Sequence, residues 1–210
     1  AAFRMSSFEA KLLARSPGKW HTQHPWEAKK ATAFFRGTPY CGPQHLHGRC
    51  SRYVLAHLSD KQQRQRSAHP EGSSPSEASL DVGLVEYVQG HDAELQRWRR
   101  RRAIDGRARA SSDDAIRPLN KSTRQPDAVL GEYKWLLHLD GHSFSSRLQG
   151  LLLTNSAVLK QDSMYVEYYY RALRPWVHYI PFYVDDPEDI LRVLPNLTAH
   201  DAAVQEVAQR

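Results

Sequence analysis

The sequence contains no apolar run near the ~20 residues that a membrane-spanning helix requires. Its densest patch, Leu151-Leu152-Leu153, belongs to a short amphipathic stretch. Only two cysteines occur, Cys41 and Cys50, which excludes a disulfide scaffold but leaves room for one bridge. Internal repeats are absent, and with them solenoid and propeller architectures. Aromatics are nearly missing from the one strongly basic stretch, Arg97 to Arg109, where Trp98 stands alone. A stacking platform for single-stranded nucleic acid interleaves aromatics with its cations, so this run reads as a solvated surface insertion. Ala1 to Ala10 also lacks the charged-then-apolar order of a secretory leader.

What is present is ordinary for a globular chain: 210 residues, 40% apolar and 25% charged, enough for one domain with a sizeable core. The net charge of +6 is local. Arg97 to Arg109 holds seven arginines against one aspartate, which accounts for all of it. Cys41, His45, His47 and Cys50 place four potential zinc ligands within ten residues. Their spacing matches no common zinc module, and histidines two apart on a helix point in different directions, so metal binding is not expected. Asn120-Lys121-Ser122 and Asn196-Leu197-Thr198 are N-glycosylation acceptors in a chain that enters the secretory pathway.

Along the chain, Ala1 to Arg15 has an amphipathic helical look and Ser16-Pro17-Gly18 ends it. Trp20 to Lys30 reads as loop around Pro25. Ala31 to Phe35 reads as a buried strand ending at Arg36-Gly37-Thr38-Pro39, where glycine lets backbone approach a ligand and Arg and Thr add charge and a hydroxyl. A helix is expected from His45 to Leu58, a polar loop from Lys61 to Ala78, and a strand from Leu80 to Gln89. Asp186 is the expected N-cap of a helix from Pro187 to Leu194, and Ala199 to Gln209 reads as a last helix.

Tyr133 to Phe182 organises the rest. Tyr133 to Leu139 has the length and composition of a strand, and Asp140-Gly141 is a turn. His142 to Ser146 suits a helix start that continues apolar through Arg147 to Leu153. Ala157 to Leu159 and Trp176 to Phe182 read as further strands. This is the βαβ unit of a parallel sheet, whose ligands gather at the carboxyl ends of the strands. A helix N-terminus after Gly141, with Arg147 one turn in, would suit a diphosphate. His138 and His178 are expected as satisfied core histidines, and Tyr168, Tyr169 and Tyr170 as packing. Gln161-Asp162-Ser163 is a candidate cleft-facing turn, and His142 a candidate phosphate contact.

Several separate motifs occur in the order of a known family. They are Ala33-Phe34-Phe35-Arg36-Gly37-Thr38; Tyr133-Lys134-Trp135; Asp140-Gly141 with Ser145 and Arg147, the last six residues after the glycine; Leu159-Lys160-Gln161-Asp162-Ser163; Glu167 with Tyr170; and Arg174-Pro175-Trp176-Val177-His178-Tyr179-Ile180-Pro181. Together they resemble the protein O-glucosyltransferases and the fungal capsule-associated glycosyltransferases, from about Trp26 to Arg210 with a poorly matched middle.

The resemblance implies an α/β fold, a Rossmann-like parallel sheet flanked by helices, as the C-terminal half of a GT-B glycosyltransferase. Residues 1–30 would be a linker or remnant of a preceding half. Residues 31–210 would form the nucleotide-sugar-binding domain, with variable insertions at about 61–78 and 97–127, in an internal piece of a longer chain.

It further implies a UDP-sugar donor and inverting transfer, O-glucosyl or O-xylosyl, to Ser or Thr of a protein or to a glycan. The setting would be the secretory pathway, ER lumen or Golgi. The implied nucleotide-sugar-binding residues are Arg36, Gly37, Thr38, Asp140, Gly141, Ser145, Arg147 and Glu167. No metal, other cofactor or nucleic-acid partner is expected. The family's catalytic base, an aspartate of the N-terminal half, has no counterpart here. Asp140 replaces a basic or neutral residue of some relatives; a carboxylate repels a diphosphate, so it is expected to face the sugar, the ribose or its own turn. Two other readings stand beside this one: an inactive relative serving as a scaffold, and a nucleic-acid binder using Arg97 to Arg109.

Overall fold

Five short strands, each rich in buried residues, set the architecture: β1 (Lys30–Gly37), β2 (Ser79–Leu84), β3 (Tyr133–His138), β4 (Ala157–Gln161) and β5 (Ile180–Phe182). In the computed structural model they form one sheet in the order β2-β1-β3-β4-β5, every neighbouring pair parallel. The described residues are 23–39, 50–68, 78–85, 119, 122–183 and 186–210. This is a Rossmann-like α/β sheet covered on both faces, and that coverage is why its strands read as continuous apolar runs.

Alternation assigns side chains to the two faces. Ala33, Phe35, Trp135, Leu137, Ala157 and Leu159 enter one core, with Tyr53, Val54 and Leu55 of α1 (Ser51–Ala68) and residues of two C-terminal helices, α3 (Ile190–Ala199) and α4 (Asp201–Ala208). Phe34, Leu136 and Val158 enter the other, against Leu148 and Leu151 of α2 (Leu148–Leu151) and a set of tyrosines. Phe34 stacks on Tyr133 with ring centroids 4.1 Å apart. Among the described residues no helix is long and apolar enough to cross a membrane.

Polar groups near the amino ends of the strands find partners too. Lys29 Nζ donates to the Gly131 carbonyl at 2.6 Å and to Ser156 Oγ at 3.1 Å; burial pushes its pKa down to about 8. Asp201, the first residue of α4, accepts from Trp26 Nε1 at 2.9 Å and from Lys134 Nζ at 2.7 and 2.8 Å.

Several boundaries depart from the sequence expectation. The first long helix runs on to Ala68, so Lys61 to Ala68 is helix and not loop. Lys, Gln and Arg are good helix formers, no breaker comes before Pro70, and Asp60 pairs with Arg64 at 2.9 Å one turn on. Helix α2 is a single turn and not the expected Arg147–Leu153 segment. It tightens into i→i+3 bonds, Leu153 N to Gly150 O and Thr154 N to Leu151 O, as helices do when they end. Strand β5 is three residues, because Trp176 adopts φ +63° and its amide donates to the Tyr179 carbonyl within a turn. Asp186 does cap: its Oδ1 accepts from the Glu188 amide at 3.0 Å. The turn it caps is a 3-10 helix, Pro187–Asp189, ahead of α3. The expected helix over Ala1 to Arg15 and the basic run Arg97 to Arg109 lie outside the described residues.

Candidate functional site

The strand order creates one topological switch point. From β1 the chain goes to β2 on one side, while β3 pairs on the other and the sheet continues to β4 and β5. In open α/β sheets the ligand crevice lies outside the carboxyl ends of the two strands flanking that reversal, here β1 and β3. The residues there are Arg36, Gly37 and Thr38 on one lip, and Leu139, Asp140 and Gly141 on the other. Two motifs about a hundred residues apart in sequence thus meet at one place.

A loop from Asp140 to Arg147 folds back over the carboxyl end of β3. Asp140 is 2% exposed; its Oδ1 accepts from the Ser145 amide at 3.3 Å, so the carboxylate faces its own turn. The Gly141 amide donates to the Ser143 carbonyl at 3.0 Å. The Ser145 carbonyl meets His138 Nε2 at 2.9 Å. Burial holds the His138 imidazole far below its usual pKa, at about 3, so it is neutral, and Nε2 is the donor to that carbonyl. Among the described residues the amides of Ser143, Phe144 and Ser146, all on exposed residues of this loop, have no acceptor.

Around this loop the charge is predominantly positive. Arg147 Nη1 donates to the Arg36 carbonyl at 2.8 Å, and burial lowers the Arg147 pKa against the opposing charge of Asp127. Lys160, at the end of β4, is lowered chiefly by burial and supported by Asp140 and Asp162; its ammonium sits 4.6 Å from the Tyr170 ring centroid. From α1, Arg52 reaches both lips: Nη1 donates to Thr38 O at 3.0 Å and Thr38 Oγ1 at 3.3 Å, and Nη2 to Leu139 O at 2.9 Å. Burial and the neighbouring charge of Arg147 push Arg52 down to about 10. Fixed cations and unspent amides at the carboxyl ends of parallel strands are the kind of surroundings that suit an anion.

Residues 9–210 match the family model described as glycosyl transferase family 90. The chain belongs to glycosyl transferase family 90. It is 29% identical to protein O-glucosyltransferase 1 of Rattus norvegicus over 201 residues, covering 94% of this chain and 38% of that protein. A shorter segment of 78 residues is 48% identical to protein O-glucosyltransferase 3 of Homo sapiens, 37% of this chain and 15% of the relative. O-glucosyltransferase rumi of Drosophila melanogaster is 35% identical over 80 residues, 38% of this chain and 20% of that protein. The chain thus spans 38% of the length of the relative that it matches most extensively among these three.

Within this family 90 chain the expected site residues divide into two groups. Arg36, Gly37, Thr38, Asp140, Gly141, Ser145 and Arg147 all stand at or beside the switch point. Arg36 is held differently from expectation: its guanidinium pairs with Asp81 of β2, Nη2 to Oδ1 at 2.7 Å, and Nη1 donates to the Asp81 carbonyl at 3.0 Å. What Arg36 offers the crevice directly is the carbonyl that seats Arg147. A Cβ on Gly37 would lie 2.6 Å from Phe35 Cζ, so that position is glycine because the Phe35 ring folds over it.

Glu167 forms the second group. It is half-buried on the aromatic segment, with Oε1 accepting from Tyr169 Oη at 3.1 Å. His178 lies in a turn, its Nδ1 accepting the Arg174 amide at 2.9 Å, and not within a strand. His142 is exposed, and its carbonyl accepts from Tyr165 Oη at 3.2 Å. Gln161 does reach the cleft: Oε1 accepts from Ser51 Oγ at 2.8 Å and from the Asp140 amide at 3.2 Å.

Arg52 is the member of the site that no sequence expectation names, and nothing local marks it among 29 Lys and Arg. Its only sequence signal is its place at the first turn of the helix after β1. Cys50 is disulfide-bonded and carries no free thiol; Cys41, His45 and His47 lie outside the described residues. Among the described residues no group of three or more His, Cys, Asp or Glu is placed to hold a metal.

Proposed function

We propose that this chain is the nucleotide-sugar-binding half of a GT-B, UDP-sugar-dependent glycosyltransferase that transfers the sugar with inversion. The acceptor is a Ser or Thr hydroxyl of a protein, or a glycan, and the setting is the secretory pathway, in the ER lumen or Golgi. The observation that carries the reading is the cationic crevice between the ends of β1 and β3, with Arg147 seated on Arg36 at 2.8 Å.

The chemistry follows from charge. As the bond from sugar to diphosphate breaks, negative charge grows on the leaving UDP. Preorganised donors aimed at that charge stabilise the transition state more than the ground state. Arg147, the loop amides of Ser143, Phe144 and Ser146, and the positive surroundings of Asp140 supply this without a metal. Asp140, turned into its own loop, keeps its carboxylate away from the phosphates. Inversion also needs a base that takes the acceptor proton as the hydroxyl attacks. In this reading that base comes from the preceding half of a longer protein.

Calorimetric titration of the chain with UDP, in the presence of magnesium and again with a chelator, tests the reading. Binding that is equal in both supports it. Absence of UDP binding would remove it, and binding only with magnesium would remove its metal-free form.

A further inference from the structure

Arg52 is 8% exposed and makes its hydrogen bonds to Thr38 on one lip of the crevice and Leu139 on the other. Among the described residues no carboxylate is a hydrogen-bond partner of Arg52, and its Nε is buried with no partner. A buried guanidinium whose hydrogen bonds all go to neutral oxygens is costly to keep charged, and the charge of Asp140 offsets only part of that cost. A second cation raises it: Arg52 Cζ lies 5.3 Å from the Phe35 ring centroid and Arg147 Cζ 5.7 Å from the same centroid. Two cations are thus gathered around one ring at the switch point. The opposite lip is shaped to admit Arg52, since a Cβ on Gly141 would lie 3.2 Å from Arg52 Nη2.

We infer that Arg52 is a positioning residue for a nucleoside diphosphate. Its fork fixes the separation of the two strand ends and holds positive charge beneath the crevice, so that the loop after Gly141 meets the two phosphates already in place. Binding then does not have to order that loop, which is how preorganisation adds affinity. The inference rests on the UDP reading above and adds to it a residue whose contacts are all to protein.

The test compares UDP with uridine, which lacks the phosphates. Arg52→Lys keeps the charge but cannot hold both lips, and Gly141→Ala crowds the fork while leaving the arginine in place. Each variant is expected to melt cooperatively, to bind UDP roughly tenfold more weakly, and to bind uridine as the wild type does. If Arg52→Lys does not fold, Gly141→Ala is read in the same way. Unchanged UDP affinity in the folded variants overturns the inference. So does an equal loss for UDP and uridine, which would mean general loosening. A wild-type chain that binds no UDP overturns the donor reading and the inference with it, whereas wild-type binding that Arg147→Ala loses and both the Arg52→Lys and Gly141→Ala variants keep overturns the inference alone.

Discussion

Arg147 donates from Nη1 to the carbonyl oxygen of Arg36, 2.8 Å away and 111 positions earlier in the chain. The bond crosses the switch point from the β3 loop to the end of β1. It makes the two arginines members of one structure with different tasks: Arg36 is anchored on Asp81 and offers its carbonyl, and Arg147 rests on that carbonyl with its guanidinium beside the loop.

Replacing Arg147 with Ala is expected to remove most UDP binding. Loss of a charge-assisted contact to a phosphate costs about 1.5–3 kcal/mol, tenfold or more in affinity. Calorimetry checks this, and equal affinity for wild type and variant would count decisively against the site.

His138 predicts an acid-sensitive fold. Its imidazole is held neutral to about pH 3 in the native state, against about 6.5 in an unfolded chain. Between those values the unfolded state binds the extra proton, so stability is full above about pH 6.5 and falls as pH drops, by at most about 1.4 kcal/mol per pH unit from this group. His138→Gln keeps an amide donor for the Ser145 carbonyl and removes the titration. Urea midpoints between about pH 7 and about pH 4.5 should therefore fall less steeply in the variant than in the wild type.

Deletion of Arg97 to Arg109 is expected to leave both melting temperature and UDP affinity unchanged, because the run lacks the apolar periodicity of a core element. A large drop in melting temperature, or a specific RNA affinity that disappears with the segment, would overturn its reading as an insertion.

Transfer needs both a positioned donor and a base at the acceptor, and only the first is assigned to this chain. The 210 residues alone are expected to show no transfer of radiolabelled sugar to an acceptor domain. A longer product carrying a preceding half is expected to be active, and to lose that activity with Arg147→Ala. Robust turnover by the short chain would place the base here, with Asp140 and Glu167 the first residues to replace.

The sheet and the two motifs of its crevice are legible because parallel strands announce themselves as apolar runs ending in glycine turns: Ala33 to Gly37 and Tyr133 to Gly141 are both of this kind. The helix over Lys61 to Ala68 escapes such a reading because an exposed helical extension is as polar as a loop. The one-turn α2 looks longer in sequence because Leu151-Leu152-Leu153 continues an apolar pattern while the backbone has already turned. Arg52 is illegible for a different reason. Its role depends on which two strand ends lie within a guanidinium's width, and that distance is set by the pairing of β1 with β3 and not by any neighbour in sequence.

Asp201 has a consequence in time as well as in space. It joins Trp26 at a sequence separation of 175 and Lys134 at one of 67. At ~5–20 residues per second of synthesis, Trp26 precedes its acceptor by roughly 9–35 s. Until then the Trp26 indole N–H and the Lys134 ammonium lack the carboxylate that joins them. The strands can pair during synthesis, but the edge from which they start is locked only once Asp201 has left the ribosome.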